Sequence, residues 1–243
     1  MAADPDPGAD PATASEALLR PVRLGNAFEE TVERLLATIR LGLFSPGESL
    51  PPERELAARL GVSRDTVREA IKSLADAGYL VSRRGRYGGT FLAAELPTPS
   101  AAGQASRAEI DDALRLREIL EVGAARMAAG RELSAAERDG LWARCDEARG
   151  GGPEDYRRLD SRLHLAIAEA AGVPSLVGLL AENRMRVNTL LDRIPLLARN
   201  IEHSDEQHAA IVTAILDGDP DAAAEAMRSH VAGSAALLHG FLD

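Results

Sequence analysis

Two short helical segments, residues 53–60 and 64–77, are separated only by Gly61-Val62-Ser63, and that spacing constrains the fold most. Pro51 and Pro52 lead into the first segment and Gly61 closes it. Ser63 is placed to cap the second, and Gly78 supplies the left-handed position that ends it. Along the second segment Val67, Ala70, Ile71 and Leu74 form one apolar face. Upstream, Phe28, Val32, Leu35, Leu36 and Ile39 recur at helical spacing as far as Gly42, which gives a first helix. Downstream, 79–82 and 90–93 are strand candidates around a basic, Gly-rich tip at 83–89. Three helices and a β-hairpin predict a winged helix-turn-helix.

With Val67, Ile71 and Leu74 turned inward, Arg64, Arg68 and Lys72 fall four residues apart on the opposite side as one basic stripe. In a helix-turn-helix this second helix enters the major groove, where arginine forks onto guanine or clamps a phosphate. Arg54 is placed to reach the DNA backbone, and Arg84 and Arg86 of the wing to reach the minor groove. The net charge of −10 speaks against a nucleic-acid partner until it is divided along the chain. From Arg54 to Arg86 there are eight basic residues against four acids, whereas from Pro97 onward acids outnumber bases 24 to 16. A basic segment joined to an acidic remainder is the asymmetry expected of a DNA-binding domain fused to one that does not touch DNA.

Residues 96–106, with Pro97, Pro99 and Gly103, carry no periodic pattern and read as a linker. Aromatics are only 3 % of the chain, so the core must come from Leu, Ala, Val and Ile, which pack well along helices. Six helices are predicted beyond the linker, at 107–130, 134–149, 154–171, 174–194, 204–217 and 220–241. Ser134 with Glu137 and Ser204 with Gln207 have capping-box spacing, and Pro174 suits a first turn. The fold class is therefore mainly α: a winged helix-turn-helix at 22–95, then an all-α antiparallel bundle at 107–243. Residues 1–21, rich in Ala, Pro and Asp, read as a disordered leader without signal-peptide order. The single cysteine, Cys145, has no disulfide partner, and no apolar run is long enough to span a membrane. A cytoplasmic protein is expected, associated with the nucleoid when bound to DNA.

All five histidines lie in the C-terminal part. Asp160 and His164 are four residues apart and share a helix face. His208 and His230 lie about 14 and 16 Å from the turn joining the last two helices, at ~1.5 Å per residue, so an antiparallel hairpin brings them level. Together the four offer an N₃O set for a divalent ion, zinc, nickel or manganese. His203 and His239 are read as ordinary hydrogen-bonded residues.

The motifs Pro46-Gly47, Leu50-Pro51, Glu53-Arg54-Glu55-Leu56-Ala57, Gly61-Val62-Ser63-Arg64, Val67-Arg68-Glu69-Ala70 and Gly89-Thr90-Phe91 resemble the GntR family of bacterial regulators. The resemblance implies DNA contacts from Arg54, Ser63, Arg64, Thr66 and Arg68, with Gly85 in the wing. The wing tip here is longer and more basic than the family's usual turn. Residues 107–241 resemble the helical ligand-binding domain of the FadR-like branch, the FCD type. Its metal-binding members use an Asp-x-x-x-His pair and two further histidines, matched by Asp160, His164, His208 and His230. The same resemblance implies a small carboxylate effector beside the metal, with Arg117, Arg184 or Arg186 as partners for the acid. The expected protein is a homodimeric repressor on double-stranded operator DNA, not an enzyme. Effector binding is expected to shift the spacing of two DNA heads. A metal-free regulator, or a metal-dependent enzyme carrying a DNA-binding domain, are the alternatives.

Overall fold

The computed structural model describes residues 25–40, 44–83, 85, 88–97 and 105–242. The expected leader at 1–21, the helix stop at Gly42, the wing arginines Arg84 and Arg86, and most of the linker lie outside them. Contacts divide the chain into two compact units, Met1–Thr98 and Pro99–Asp243.

In the first unit α1 (Ala27–Arg40) buries Phe28, Val32, Leu35, Leu36 and Ile39, the stripe its spacing predicts. Helix α2 (Glu53–Leu60) ends where Gly61 adopts φ 68°, a left-handed conformation open to glycine without strain. That turn lets α3 (Arg64–Asp76) start three residues later. The Ser63 side chain caps it by accepting a bond from the Thr66 N–H at 3.0 Å. Val67, Ala70, Ile71 and Leu74 are buried against the rest of the unit. Strands β1 (Leu80–Arg83) and β2 (Gly89–Leu92) pair antiparallel, Leu80 opposite Leu92. Both are displaced by one residue from the expected spans. The Tyr79 N–H is spent on Leu74 O at 2.9 Å, closing α3, so Tyr79 belongs to the helix end. The segment before α2 adds to the hairpin through Leu50 N to Thr90 O at 2.8 Å and Leu92 N to Glu48 O at 2.9 Å.

The second unit holds α4 (Arg107–Ala129), α5 (Ala135–Gly150), α6 (Tyr156–Ala170), α7 (Pro174–Leu191), α8 (Ala198–Leu216) and α9 (Pro220–Leu242). Capping boxes start α4, from Ser106 and Glu109, and α5, from Ser134 and Glu137. The expected box at Ser204 and Gln207 is not formed. Helix α8 begins six residues earlier, at Ala198, and Ser204 is buried in its interior. Its hydroxyl bonds the Tyr156 hydroxyl on α6 instead of a backbone amide. Helix α7 ends at Leu191, short of the expected 194, because Pro195 disfavours helical backbone before it.

Helix α4 lies against α6, α7, α8 and α9. Its buried Ala124, Ala125, Ala128 and Ala129 bring those backbones close. Leu163 and Ile167 of α6, Leu180 of α7, Ile211 and Ile215 of α8 and Met227 of α9 fill the space around them. No helix among the described residues is long and apolar enough to cross a membrane.

Candidate functional site

Asp160 and His164 project from one face of α6, His208 from α8 and His230 from α9. One ligand atom from each lies within 4.8 Å of all the others, and all four residues are buried. The imidazole centroids are 4.6 to 5.4 Å apart. Asp160 Oδ1 is 3.2 Å from His208 Nε2 and 3.6 Å from His164 Nε2. The structure thus brings together the four residues that helical spacing singled out.

The protonation states suit a cation. Burial pushes His208 down despite the neighbouring Asp160 carboxylate. Burial also pushes His230 well below the usual range, reinforced by His208 and His164. Burial alone would raise Asp160, but the Arg184 guanidinium and then His164 hold it well below the usual carboxylate range. Two neutral imidazoles and one carboxylate therefore meet in a buried pocket. Both ring nitrogens of His164 and of His208, and Nε2 of His230, lack a hydrogen bond among the described residues. The His208 to Asp160 separation is short, but the N–H direction does not fit a bond. Orphaned buried nitrogens cost about 1–3 kcal/mol each, so the donor set fits a divalent ion better than it fits isolation. Gln207 Oε1, 3.2 Å from His230 Nδ1, favours the tautomer that leaves Nε2 facing the cluster.

Two arginines close the cluster. Arg184, 2 % exposed, donates to Asp160 Oδ2 and, at 3.2 Å, to Glu121 Oε1. Arg117, equally buried, donates through Nε to Glu121 Oε2 at 3.1 Å and through Nη1 to Ser234 Oγ at 2.7 Å. Arg186, expected beside them, is elsewhere. Two residues beyond Arg184 it is rotated by about 200° around α7 and pairs at the surface with Asp112 at 3.0 Å. A cavity of about 30 Å³ adjoins the cluster, lined by Arg117, Tyr156, Asp160, Ser204, His230 and Ser234 among others.

Glu121 is the buried residue of this cluster that sequence reasoning missed. It is 1 % exposed and touches Arg117, Arg184 and His164. Burial would raise its carboxyl, but Arg117, His164 and Arg184 hold it well below the usual range. The signal was present, since Arg117 and Glu121 fall within the apolar stripe of α4 that runs from Ile110 through Ala113 to Ala124 and Ala128. A charged i, i+4 pair inside such a stripe has to be buried.

In the first unit Arg54, Arg64 and Lys72 are exposed; Lys72 lies on the side of α3 opposite its buried face, whereas Arg64, two turns before the buried Ile71, lies at the edge of that face. Arg68 is half exposed and pairs with Asp65 at 2.7 Å and Glu53 at 3.3 Å. Such exposed pairs are weak enough for phosphate or guanine to displace. The Ser63 hydroxyl also lies 2.8 Å from the Thr66 hydroxyl. Gly85 has φ +106°, and none of the described residues lies within 4 Å of where its Cβ would be. Arg83, at the base of the wing, sits 4.7 Å over the Phe91 ring.

Residues 28–92 match the bacterial regulatory proteins of the gntR family, and residues 112–233 match the FCD domain. An Escherichia coli (strain K12) protein named for regulation of the L-lactate dehydrogenase operon is 32 % identical over 216 residues, 84 % of this chain and 83 % of its own. The transcriptional repressor NanR of Klebsiella aerogenes is 29 % identical over 226 residues, 87 % of this chain and 85 % of its own. Among solved structures, a Streptococcus agalactiae GntR chain is 27 % identical, with a TM-score of 0.47 over 86 % of this chain and 98 % of its own. A gntR-type winged helix-turn-helix followed by a helical FCD domain places the chain in the GntR family of transcription regulators, in its FadR-like branch.

Proposed function

We propose that this chain is a repressor whose affinity for double-stranded operator DNA is set by a small carboxylate bound beside a divalent metal in the second unit. The observation that carries the reading is the buried group of Asp160, His164, His208 and His230, with orphaned imidazole nitrogens next to a cavity lined by Arg117. A bound divalent ion would offer a carboxylate oxygen a Lewis-acidic site. His164, His208 and His230 supply imidazoles of the kind zinc and nickel prefer, and Asp160 supplies the oxygen. Arg117, which lines the cavity, would donate to the acid.

The cavity, about 30 Å³, has room for two or three water molecules. A metabolite larger than that binds only a bundle whose helices have moved apart there, so occupancy selects a different packing. Coupling of that kind typically changes the affinity of a second site about 5- to 150-fold. At the other end Arg54, Ser63, Arg64, Thr66, Arg68 and Lys72, with Gly85 in the wing, would grip DNA. The capped N-terminus of α3 and its exposed cations support that reading. Pairing of two chains is part of it, supported by Leu116, Ile119 and Met127 exposed on α4, Ile119 at 71 %.

The test combines elemental analysis of purified protein with operator binding by fluorescence anisotropy, before and after chelation and with a panel of two- to six-carbon hydroxy and dicarboxylic acids. Metal in stoichiometric amount and an acid that changes affinity at least 5-fold are expected. Protein free of metal that still answers an acid would establish a metal-free sensor. A protein that answers none would refute the sensing function.

A further inference from the structure

We infer that Glu121 is a positioning residue: it holds His164 in the Nδ1–H tautomer and so presents Nε2 to a divalent cation shared with Asp160, His208 and His230. This rests on the metal reading above and extends it to a residue outside the ligand set. His164 Nδ1 lies 2.9 Å from Glu121 Oε2, within hydrogen-bond reach, although the ring plane is turned from the ideal line. The opposite tautomer has no comparable partner, since Nε2 is 3.6 Å from Asp160 Oδ1. A carboxylate accepts and cannot donate, so the proton of this pair sits on Nδ1.

What makes Glu121 suited to the task is that it cannot swing. Arg117 Nε holds Oε2 at 3.1 Å while Arg184 Nη1 holds Oε1 at 3.2 Å. Arg184 also engages Asp160 Oδ2, which leaves Oδ1 facing the imidazoles. One carboxylate thereby orients a histidine directly and an aspartate through a shared guanidinium. A partner of this kind on a ligating histidine commonly contributes about 10- to 100-fold in metal affinity.

The test uses full-length protein stripped of metal and labelled with nitrogen-15 at histidine. The imidazole shifts of His164 in the unsubstituted protein should report Nδ1–H. Zinc titration against a chromophoric chelator should show Glu121→Gln binding roughly 10- to 100-fold more weakly and Glu121→Asp recovering part of the loss. Circular dichroism establishes that the variants are folded, and if Glu121→Gln is not, the tautomer in the unsubstituted protein decides alone. An Nε2–H tautomer there, or undiminished zinc affinity in folded Glu121→Gln, overturns the role of Glu121. If the unsubstituted protein takes up no zinc, the metal reading fails first and is seen to fail separately.

Discussion

Replacing His208 with alanine should be nearly neutral without metal and costly with it. His208 is 1 % exposed, and both of its ring nitrogens lack a hydrogen bond among the described residues. In metal-free protein the substitution removes two orphaned polar atoms, a relief of about 1–3 kcal/mol each, and leaves a void of similar cost. The two nearly cancel, so the net change should stay within ~1 kcal/mol. With zinc at a thousand times its dissociation constant, the unsubstituted protein gains about 4 kcal/mol by mass action. For a unit of this size that corresponds to roughly 8–16 °C in Tm. His208→Ala leaves three ligands and should forfeit most of the gain. Calorimetric melts of both proteins, in chelator and then in excess zinc, give the four values required. A variant that loses as much stability in chelator as in zinc would show His208 to be a packing residue, and the argument from orphaned nitrogens would be wrong.

Arg64→Ala with Arg68→Ala removes two candidate base or phosphate contacts at about 1–3 kcal/mol each. Specific operator binding by gel shift should fall at least 30-fold without loss of the helical circular dichroism signal. Asp205, pushed up to about 6 mainly by burial, binds its proton more tightly folded than unfolded. Stability from this group is therefore full below about pH 4 and lost as pH rises through 6. Because the residue is partly exposed, Asp205→Asn should add only ~1 kcal/mol at pH 7 in urea titrations and nothing at pH 4. His230 has the reverse sign: its lowered value means the unfolded chain takes up the proton first, so metal-free protein should weaken as pH falls below 6.5. His230→Gln should flatten that slope. Leu163→Ala, at a fully buried position between α4 and α6, should cost about 2–5 kcal/mol by urea denaturation.

Much of the site was legible because helices impose arithmetic on their side chains. Four residues from Asp160 to His164 is one turn, and counting outward from the turn between α8 and α9 set His208 level with His230. Ser63 and Gly61 marked the helix-turn-helix equally well, since cap and left-handed turn are local demands. Failures arose where distant partners overrule local preference. Ser204 has the chemistry of a cap, yet Tyr156 claims its hydroxyl and α8 runs on through it. Glu121 pairs with Arg117 inside the apolar stripe of α4, so its burial was legible, but its junction with Arg184 depends on the approach of α7. Arg184 and Arg186 could not be told apart until the rotation of α7 was known.

The position of α4 against four other helices has a consequence for engineering new specificities. A side chain enlarged at Ala124 or Ala128 would displace several neighbours at once, so paired changes along α4 will not add. Variation introduced at Ser204 or Gln207, both on α8, leaves that shared axle untouched, whereas Ser234 on α9 is tied to it through Arg117. If the proposed sensing function holds, libraries built at those two positions are the route by which this scaffold can be taught to answer a different acid.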